Sequence, residues 1–308
     1  MTVYDGSILD SYGDDTKLTL QANSAAVDAN PNSWYYAAGT VYIRTSDDRA
    51  PDTDLHYYYA AYSVQCTRDS KVIYLENIKY HGAQGAYFNS ASATGGLKVY
   101  ALNCHFKYAQ ATGFNSFLCQ GVTEVIVQGC IASKADEDGF HYNALNGINT
   151  RAIEIDCQGY DNGHAGYVYN GSSAHGDCET VRINGEYHHN RGTNIHDIGN
   201  GKTWMLGTEA HHPEPVSPSG NYTKNNFTCG FGSTGFSQWM DGCYSHDTFA
   251  TGFDLAVDFN GVCKVEDFTS GGLFSIGGTK SDYDRVVTGT TTDTPLTNPE
   301  RNLVLTVN

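Results

Sequence analysis

Basic residues are scarce in this 308-residue chain: 18 Lys+Arg stand against 34 Asp+Glu, a formal net charge of −16. Such a balance counts against nucleic acid as a partner, because phosphates must be neutralised by Lys and Arg. It counts equally against docking on anionic lipid. Long apolar runs are missing too. The longest apolar-aromatic stretch, Tyr57 to Val64, falls far short of the ~18 residues of a membrane span. The opening MTVYDGSILDSYGDD has neither the basic n-region nor the apolar h-region of a signal peptide. Export by another route, or a chain that starts further upstream, is the expectation that leaves.

Charged residues make up only 17% of the chain, with little Lys, Leu or Glu, so helix formers are thin. Nine cysteines are too few for a disulfide scaffold, and an odd number leaves at least one unpaired within the chain. HExxH and CxxC are absent, as is the L-x-x-L-x-L frame of leucine-rich repeats. What abounds is Gly (34), Tyr (22) and Phe (13), with Asn, Thr and Ser, which suits strands and turns.

Five segments align without a gap: NIKYHGAQGAYFNS, NCHFKYAQATGFNS, GCIASKADEDGFHY, DCQGYDNGHAGYVY and NGEYHHNRGTNIHD. They begin at Asn77, Asn103, Gly129, Asp156 and Asn184, in steps of 26, 26, 27 and 28 residues. The second column reads Ile78, Cys104, Cys130, Cys157, Gly185, and one ten residues on reads Phe88, Phe114, Phe140, Tyr167, Ile195. The same interval joins Cys243 to Phe253. Alternating runs such as LKVYALNC and TEVIVQGC precede each cysteine column, and period-two alternation means strands. A unit this short cannot bury its own apolar face, so units must stack ~4.8 Å apart. The sequence therefore predicts an all-β fold, a single-stranded parallel β-helix of about seven to nine coils. Its cysteine column should be a ladder of buried free thiols, and its phenylalanine column an aromatic ladder.

The first 70 residues read as a β-rich cap, with SWYYAAGTVYIR a hairpin around Ala38 and Gly39. The helix should then run over 71–280, and 281–308 form a Thr- and Asp-rich tail ending in the strand-like NLVLTV.

The 26–28-residue coils with GF-type strands resemble right-handed parallel β-helix proteins, the pectate-lyase-like lyases and hydrolases and bacteriophage tailspikes. The resemblance covers roughly Lys71 to Gly278. It implies a right-handed coil, a polysaccharide-degrading activity on a bacterial surface or extracellular glycan, a homotrimer, and an extracellular or virion-tail location.

In a solenoid, a site reads down a column. Polar residues concentrate in three adjacent coils: Asp136, Glu137, Asp138 and His141; then Asp161, His164, His175 and Asp177; then His188, His189, Arg191, His196 and Asp197. His141 and His196 share a column with Val168 between them, which puts them ~9.6 Å apart. The acidic run ADEDG is the leading catalytic candidate, because crowded carboxyls raise at least one pKa and glycoside hydrolysis needs a donor and a base or nucleophile. Glu137 and Asp138 take those roles; His141, His164, His175 and His196 position substrate or share the proton transfer. A lyase is the alternative, with His or Tyr as base and Arg191, Arg151, Lys134 or a metal neutralising a uronate. Tyr142, Asp161, Tyr169, His188, Arg191, Asp197 and Trp204 are the substrate-binding candidates.

No catalytic metal and no cofactor are expected. Adjacent side chains on a strand face opposite ways, so His188-His189 and His211-His212 should each offer one ligand at most to a face. Calcium on Asp136 and Asp138, acids at alternating positions, is the alternative. The rival from another class is a non-catalytic solenoid, a receptor-binding or structural domain that holds glycan without cutting it.

Overall fold

The computed structural model describes residues 2–58, 62, 64–82, 84–109, 113–163, 169–214, 225–248, 255–266, 268–270, 274–277, 280–282, 287–289 and 305–307. The chain divides into two compact units, Met1–Ala61 and Tyr62–Asn308. Among the described residues the one helix is Ser24–Ala29, capped by Asn23, whose side chain accepts from the Ala26 amide at 2.9 Å. Among the described residues no helix is long and apolar enough to cross a membrane.

In the first unit the strand Thr2–Leu9 pairs antiparallel with Asp15–Lys17 and Leu55–Tyr58. The expected hairpin is there: Ser33–Ala37 pairs with Thr40–Arg44, and Ala38 and Gly39 both take positive φ, as a two-residue turn matched to strand twist requires. Val3, Leu18 and Trp34 form its small core. Arg49 clamps the buried Asp5 through two bonds of 2.6 and 2.9 Å.

The second unit is a parallel β-solenoid of at least five turns, consistent with the right-handed parallel β-helix expected. Each coil carries three short strands, and strands at the same stage of successive coils pair in parallel. The first column runs through Val64–Thr67, Ala86–Asn89, Phe117–Gln120, Phe140–Asn143, Ser172–His175 and Ile195–Ile198 into Phe227–Asp241. The second runs through Val72–Glu76, Lys98–Leu102, Glu124–Gln128, Arg151–Ile155, Glu179–Ile183 and Lys202–Leu206 into the same Phe227–Asp241 strand. The third runs through Lys79–His81, His105–Lys107, Ile131–Ser133, Gln158–Tyr160, Glu186–His188, Glu209–His211 and Tyr244–His246.

Two corners fix this register. Between second and third columns the chain turns on Asn77, Asn103, Gly129, Asp156, Asn184, Gly207 and Gly242, every one left-handed. Only Gly, and Asn or Asp at modest cost, visit that region routinely. The five repeats read from the sequence begin on these corner residues. After the third column a second left-handed corner falls on Tyr108, Lys134, Asp161, His189, His212 and Asp247, where no residue type announces it.

The interior is the stack expected in outline. Cys104, Cys130 and Cys157 are buried free thiols, and the Cys104 amide donates to Cys130 Sγ at 3.4 Å. The aromatic ladder needs one correction: Phe117, not Phe114, is the middle rung. Phe117 pairs in register with Phe140, with ring centroids 5.7 Å from Phe88 and 5.9 Å from Phe140. Phe114 lies in the bend before the strand, half-buried against Tyr62. Tyr167, Val168 and Phe253 lie outside the described residues.

The interior also holds charge. Arg182, fully buried, donates to Asp197 through two bonds of 2.7 and 2.9 Å and to Ser172 Oγ at 2.9 Å, and lies 3.4 Å from Glu154. Burial raises the Glu154 pKa even with Arg182 beside it. Breaking such a cluster by removing one partner costs roughly 3–5 kcal/mol.

The corner rule predicts a contrast at Gly129. A Cβ there would meet only the Asn103 side-chain oxygen, which can swing aside, so strain at φ 59 is the main cost. Gly129→Ala should lose about 1–2 kcal/mol, and Gly129→Asn clearly less, read from chemical or thermal unfolding. Equal losses would refute the corner argument.

Candidate functional site

The first-column strands alternate, so Phe140, Tyr142, Ser172 and Asp197 turn inward while His141, Ser173 and His196 line the outer row. Ser173, not the expected residue, is the rung between the two histidines. His175, two residues along the strand from Ser173, brings its ring to 4.5 Å from that of His141.

The bend before Phe140 delivers the acids. It is stitched to both neighbouring coils: the Ser116 amide donates to the Asp138 carbonyl at 3.0 Å, and the Gly139 amide to the Asn170 carbonyl at 2.9 Å. At Gly139 a Cβ would fall 2.5 Å from the Gly171 carbonyl oxygen and 2.8 Å from that of Ala132, so the crossing admits no side chain. Glu137, Asp138, His141, Tyr169, Asn170, His175 and His196 together line an open cleft of about 410 Å³.

Asp138 is buried, and both oxygens are engaged. Oδ1 accepts from the Asn170 amide at 2.7 Å and its Nδ2 at 2.9 Å. Oδ2 accepts from Ser173 Oγ and meets His141 Nδ1, both at 2.7 Å. Burial alone would raise this carboxyl; the hydrogen bond and charge of His141, with His175 and Ser173, outweigh it and hold the pKa below the usual range. An ionised Asp138 assigns the Nδ1 proton to His141 and makes Nε2 its basic atom. Ser173 is no nucleophile of a Ser-His-Asp triad, because its hydroxyl shares the Nδ1 side with the carboxylate, 3.2 Å from Nδ1.

Glu137 takes the opposite shift. Half-burial raises its pKa and the Asp138 charge adds to that, against the Tyr169 hydroxyl donating to Oε1 at 3.2 Å. Two neighbouring carboxyls are thus driven apart, one toward the acid and one toward the anion. Burial, then the charge of His141, lowers His175 to about 4, and burial lowers His196. The Nε2 atoms of both are buried without a hydrogen-bond partner.

Asp138, His141 and His175 bring one ligand atom each within 4.8 Å of one another. The four bonds on Asp138 make it the holder of His141 first. Asp136, its partner in the calcium expectation, accepts from the Gly113 amide at 2.8 Å.

Of the residues expected at the site, Glu137, Asp138, His141, Tyr169, His175 and His196 come together in the cleft. His164 lies outside the described residues. The other candidates stand apart. Tyr142 is inside the core, and Asp197 is held by Arg182. Asp161 pairs with Lys134 at 2.7 Å, and Arg191 lies 3.5 Å from Glu214. Trp204 stacks on Trp239 in the second column. His188 stacks between Tyr160 and His211 in the third. Asn170, just before the SSAH strand that carries His175, and Ser173, within it, are residues that the sequence reading missed. The only signal for them was that polar run.

One expectation is overturned. His188 and His189 do not face opposite ways: their Nδ1 atoms approach to 2.8 Å, as do those of His211 and His212. The second histidine of each pair is left-handed, with φ of 53 and 48. The strand has ended there, and alternation with it.

The chain matches no protein-family model, no curated protein and no solved structure. What the cleft does is therefore read from its own chemistry.

Neutral His175 sets a pH dependence. In the unfolded chain it titrates near 6.5; folded, at about 4. Between those values the unfolded state binds a proton that the folded state refuses, so stability falls as pH drops from about 6.5 to about 4, by up to roughly 3 kcal/mol from this residue. Asp138 adds its own loss only at lower pH. Urea midpoints at pH 7 and pH 5 should differ less in His175→Asn than in the parent; an unchanged difference would remove His175 as the cause.

Proposed function

We propose that the protein cleaves a glycan in this cleft, with Glu137 as proton donor and His141, held by Asp138, as base. The β-helix fold is consistent with a polysaccharide-acting or tailspike-like protein. The observation that carries the finer reading is the opposed pair: a carboxyl pushed up, Glu137, beside a carboxylate pinned down and spent on orienting an imidazole. In hydrolysis, His141 Nε2 takes a proton from water as the oxygen attacks the anomeric carbon, and Glu137 protonates the departing glycosidic oxygen. Tyr169 holds the Glu137 carboxyl, and the His175 and His196 rings line the same cleft.

Hydrolysis is favoured over elimination by charge. A lyase must neutralise a uronate carboxylate, and no Lys or Arg stands among the described residues lining the cleft. The overall −16 also repels a polyanion at long range. A neutral or weakly charged surface glycan is the substrate class, with an extracellular or virion-tail setting. The second reading, a solenoid that binds glycan without cutting it, draws on the same cleft-lining histidines.

The test is incubation with a panel of capsules, O-antigens and uronate polymers, followed by new reducing ends and by the ultraviolet absorbance of unsaturated uronate. Reducing ends without that absorbance are expected. Glu137→Gln and His141→Ala should each lower kcat by about 10²–10⁴-fold. Asp138→Asn should lower kcat with little change in KM and shift the acidic limb of the pH profile, which the base sets. Binding without cleavage would leave the recognition reading standing alone.

A further inference from the structure

A second cluster of titratable side chains lies outside the cleft, on the third column. The strands Glu186–His188, Glu209–His211 and Tyr244–His246 stack in register. Two of them repeat the pattern Glu-x-His, and the third ends on His246. His188, His211 and His246 form a continuous imidazole stack, with centroids 4.8 and 4.6 Å apart. Each glutamate reaches the Nε2 atom of the histidine one coil on: Glu186 lies 3.1 Å from His211 Nε2, and Glu209 lies 2.8 Å from His246 Nε2.

The opposite edge of the stack is equally ordered. His246 Nδ1 meets Asp247 at 2.6 Å, and His211 Nδ1 meets His212 Nδ1 at 2.8 Å. Both partners come from the left-handed corner, which turns them to the same side as the strand residue before them. This is the outer support that metal-binding histidines have, one ring nitrogen fixed by a carboxylate or imidazole so that the other is aimed.

We propose that Glu209, His211 and His246 bind a divalent transition-metal ion, zinc being the best match. Their ligand atoms already lie within 4.8 Å of one another. Zinc ligands at ~2.1 Å from the ion stand at most ~4.2 Å apart, so small side-chain rotations close the site. Two imidazoles and one carboxylate suit zinc and not calcium or magnesium, which take oxygen ligands. The ligands sit on regular strands, with His211 and His246 partly open to solvent and Glu209 well exposed, so an ion can enter and waters can complete the shell. Asp247 and His212 are positioning residues. The site is independent of the glycan reading, because no ligand lines the cleft.

The test is calorimetric titration of chelator-treated protein with zinc alone, with circular dichroism to show that each variant folds. The parent should bind one zinc per chain. His211→Gln and His246→Gln should weaken binding by 100-fold or more. The exposed Asp247→Asn, which leaves all three ligands in place, should weaken it by about 10–100-fold. His141→Ala, in the cleft, should leave it unchanged. Absence of zinc binding by the parent would overturn the proposal. So would binding lost in His141→Ala but kept in His246→Gln, which would move the ion to Asp138, His141 and His175.

Discussion

Everything in the second unit depends on coils stacking in register. Once strands pair in parallel and at like positions, each side chain has its counterpart one strand-spacing above and below. A residue that suits its own coil must therefore also suit its neighbours. Thiols stack on thiols at Cys104, Cys130 and Cys157, and rings on rings at Phe88, Phe117 and Phe140. Amides chain from Asn162 through Asn190 and Asn194 to Asn226 by bonds of 2.8 Å. The left-handed corners are what hold the register: a coil that turned one residue early would present its inward set to solvent.

That constraint makes a buried charge a matter between coils. Glu154 and Arg182 sit opposite each other on paired strands, and Asp197 reaches Arg182 from the first column. Ser172, hydrogen-bonded to both Glu154 and Arg182, precedes Ser173, which donates to Asp138 in the cleft. Asp197 follows His196. The strands that carry the cleft's outer residues thus hold Ser172 and Asp197, one side of the ion cluster, on their inner face, so neither can shift without disturbing the other. The cluster stabilises little against a well-packed apolar alternative; its effect is to hold the two strands in one arrangement.

The repeat was legible because the chemistry of the corner between second and third columns is local: each of these left-handed turns falls on Asn, Gly or Asp, and those residues open the five aligned segments. The buried thiols and the hairpin at Ala38-Gly39 were legible for the same reason. The aromatic ladder slipped because extra residues enter a coil in its bend, between the corner and the next strand. A gap-free alignment carries Phe114 where the chain puts Phe117, and Val168 where it puts Ser173. The acid bend was recognisable as a candidate, but the division of labour within it was not. Glu137 and Asp138 are neighbours of one type in sequence. The bond and charge of His141, with His175 and the Ser173 hydroxyl that the next coil supplies, make one of them an anion, and the other stays in the cleft. Glu154 and Arg182 left a fainter trace, opposite charges at inward positions of RAIEI and TVRI.

The histidine ladder shows how stacking limits chemistry. Imidazoles 4.6–4.8 Å apart cannot all be protonated, since two adjacent cations repel by about 3 kcal/mol at an effective dielectric near 20. The rings accordingly divide. Burial and the neighbouring His211 lower His188 to about 4, and burial lowers His211 too. At the end of the stack, burial is outweighed by the bonds to Glu209 and Asp247, and His246 is raised. A periodic stack of basic rings therefore needs carboxylates threaded along it, which Glu186, Glu209 and Asp247 provide. Some of the chain's acidic excess thus has a structural role. A coil that places His over His without an acid at the next position would have to bury a neutral ring or surrender the stack, so the Glu-x-His pattern is what permits the column to continue.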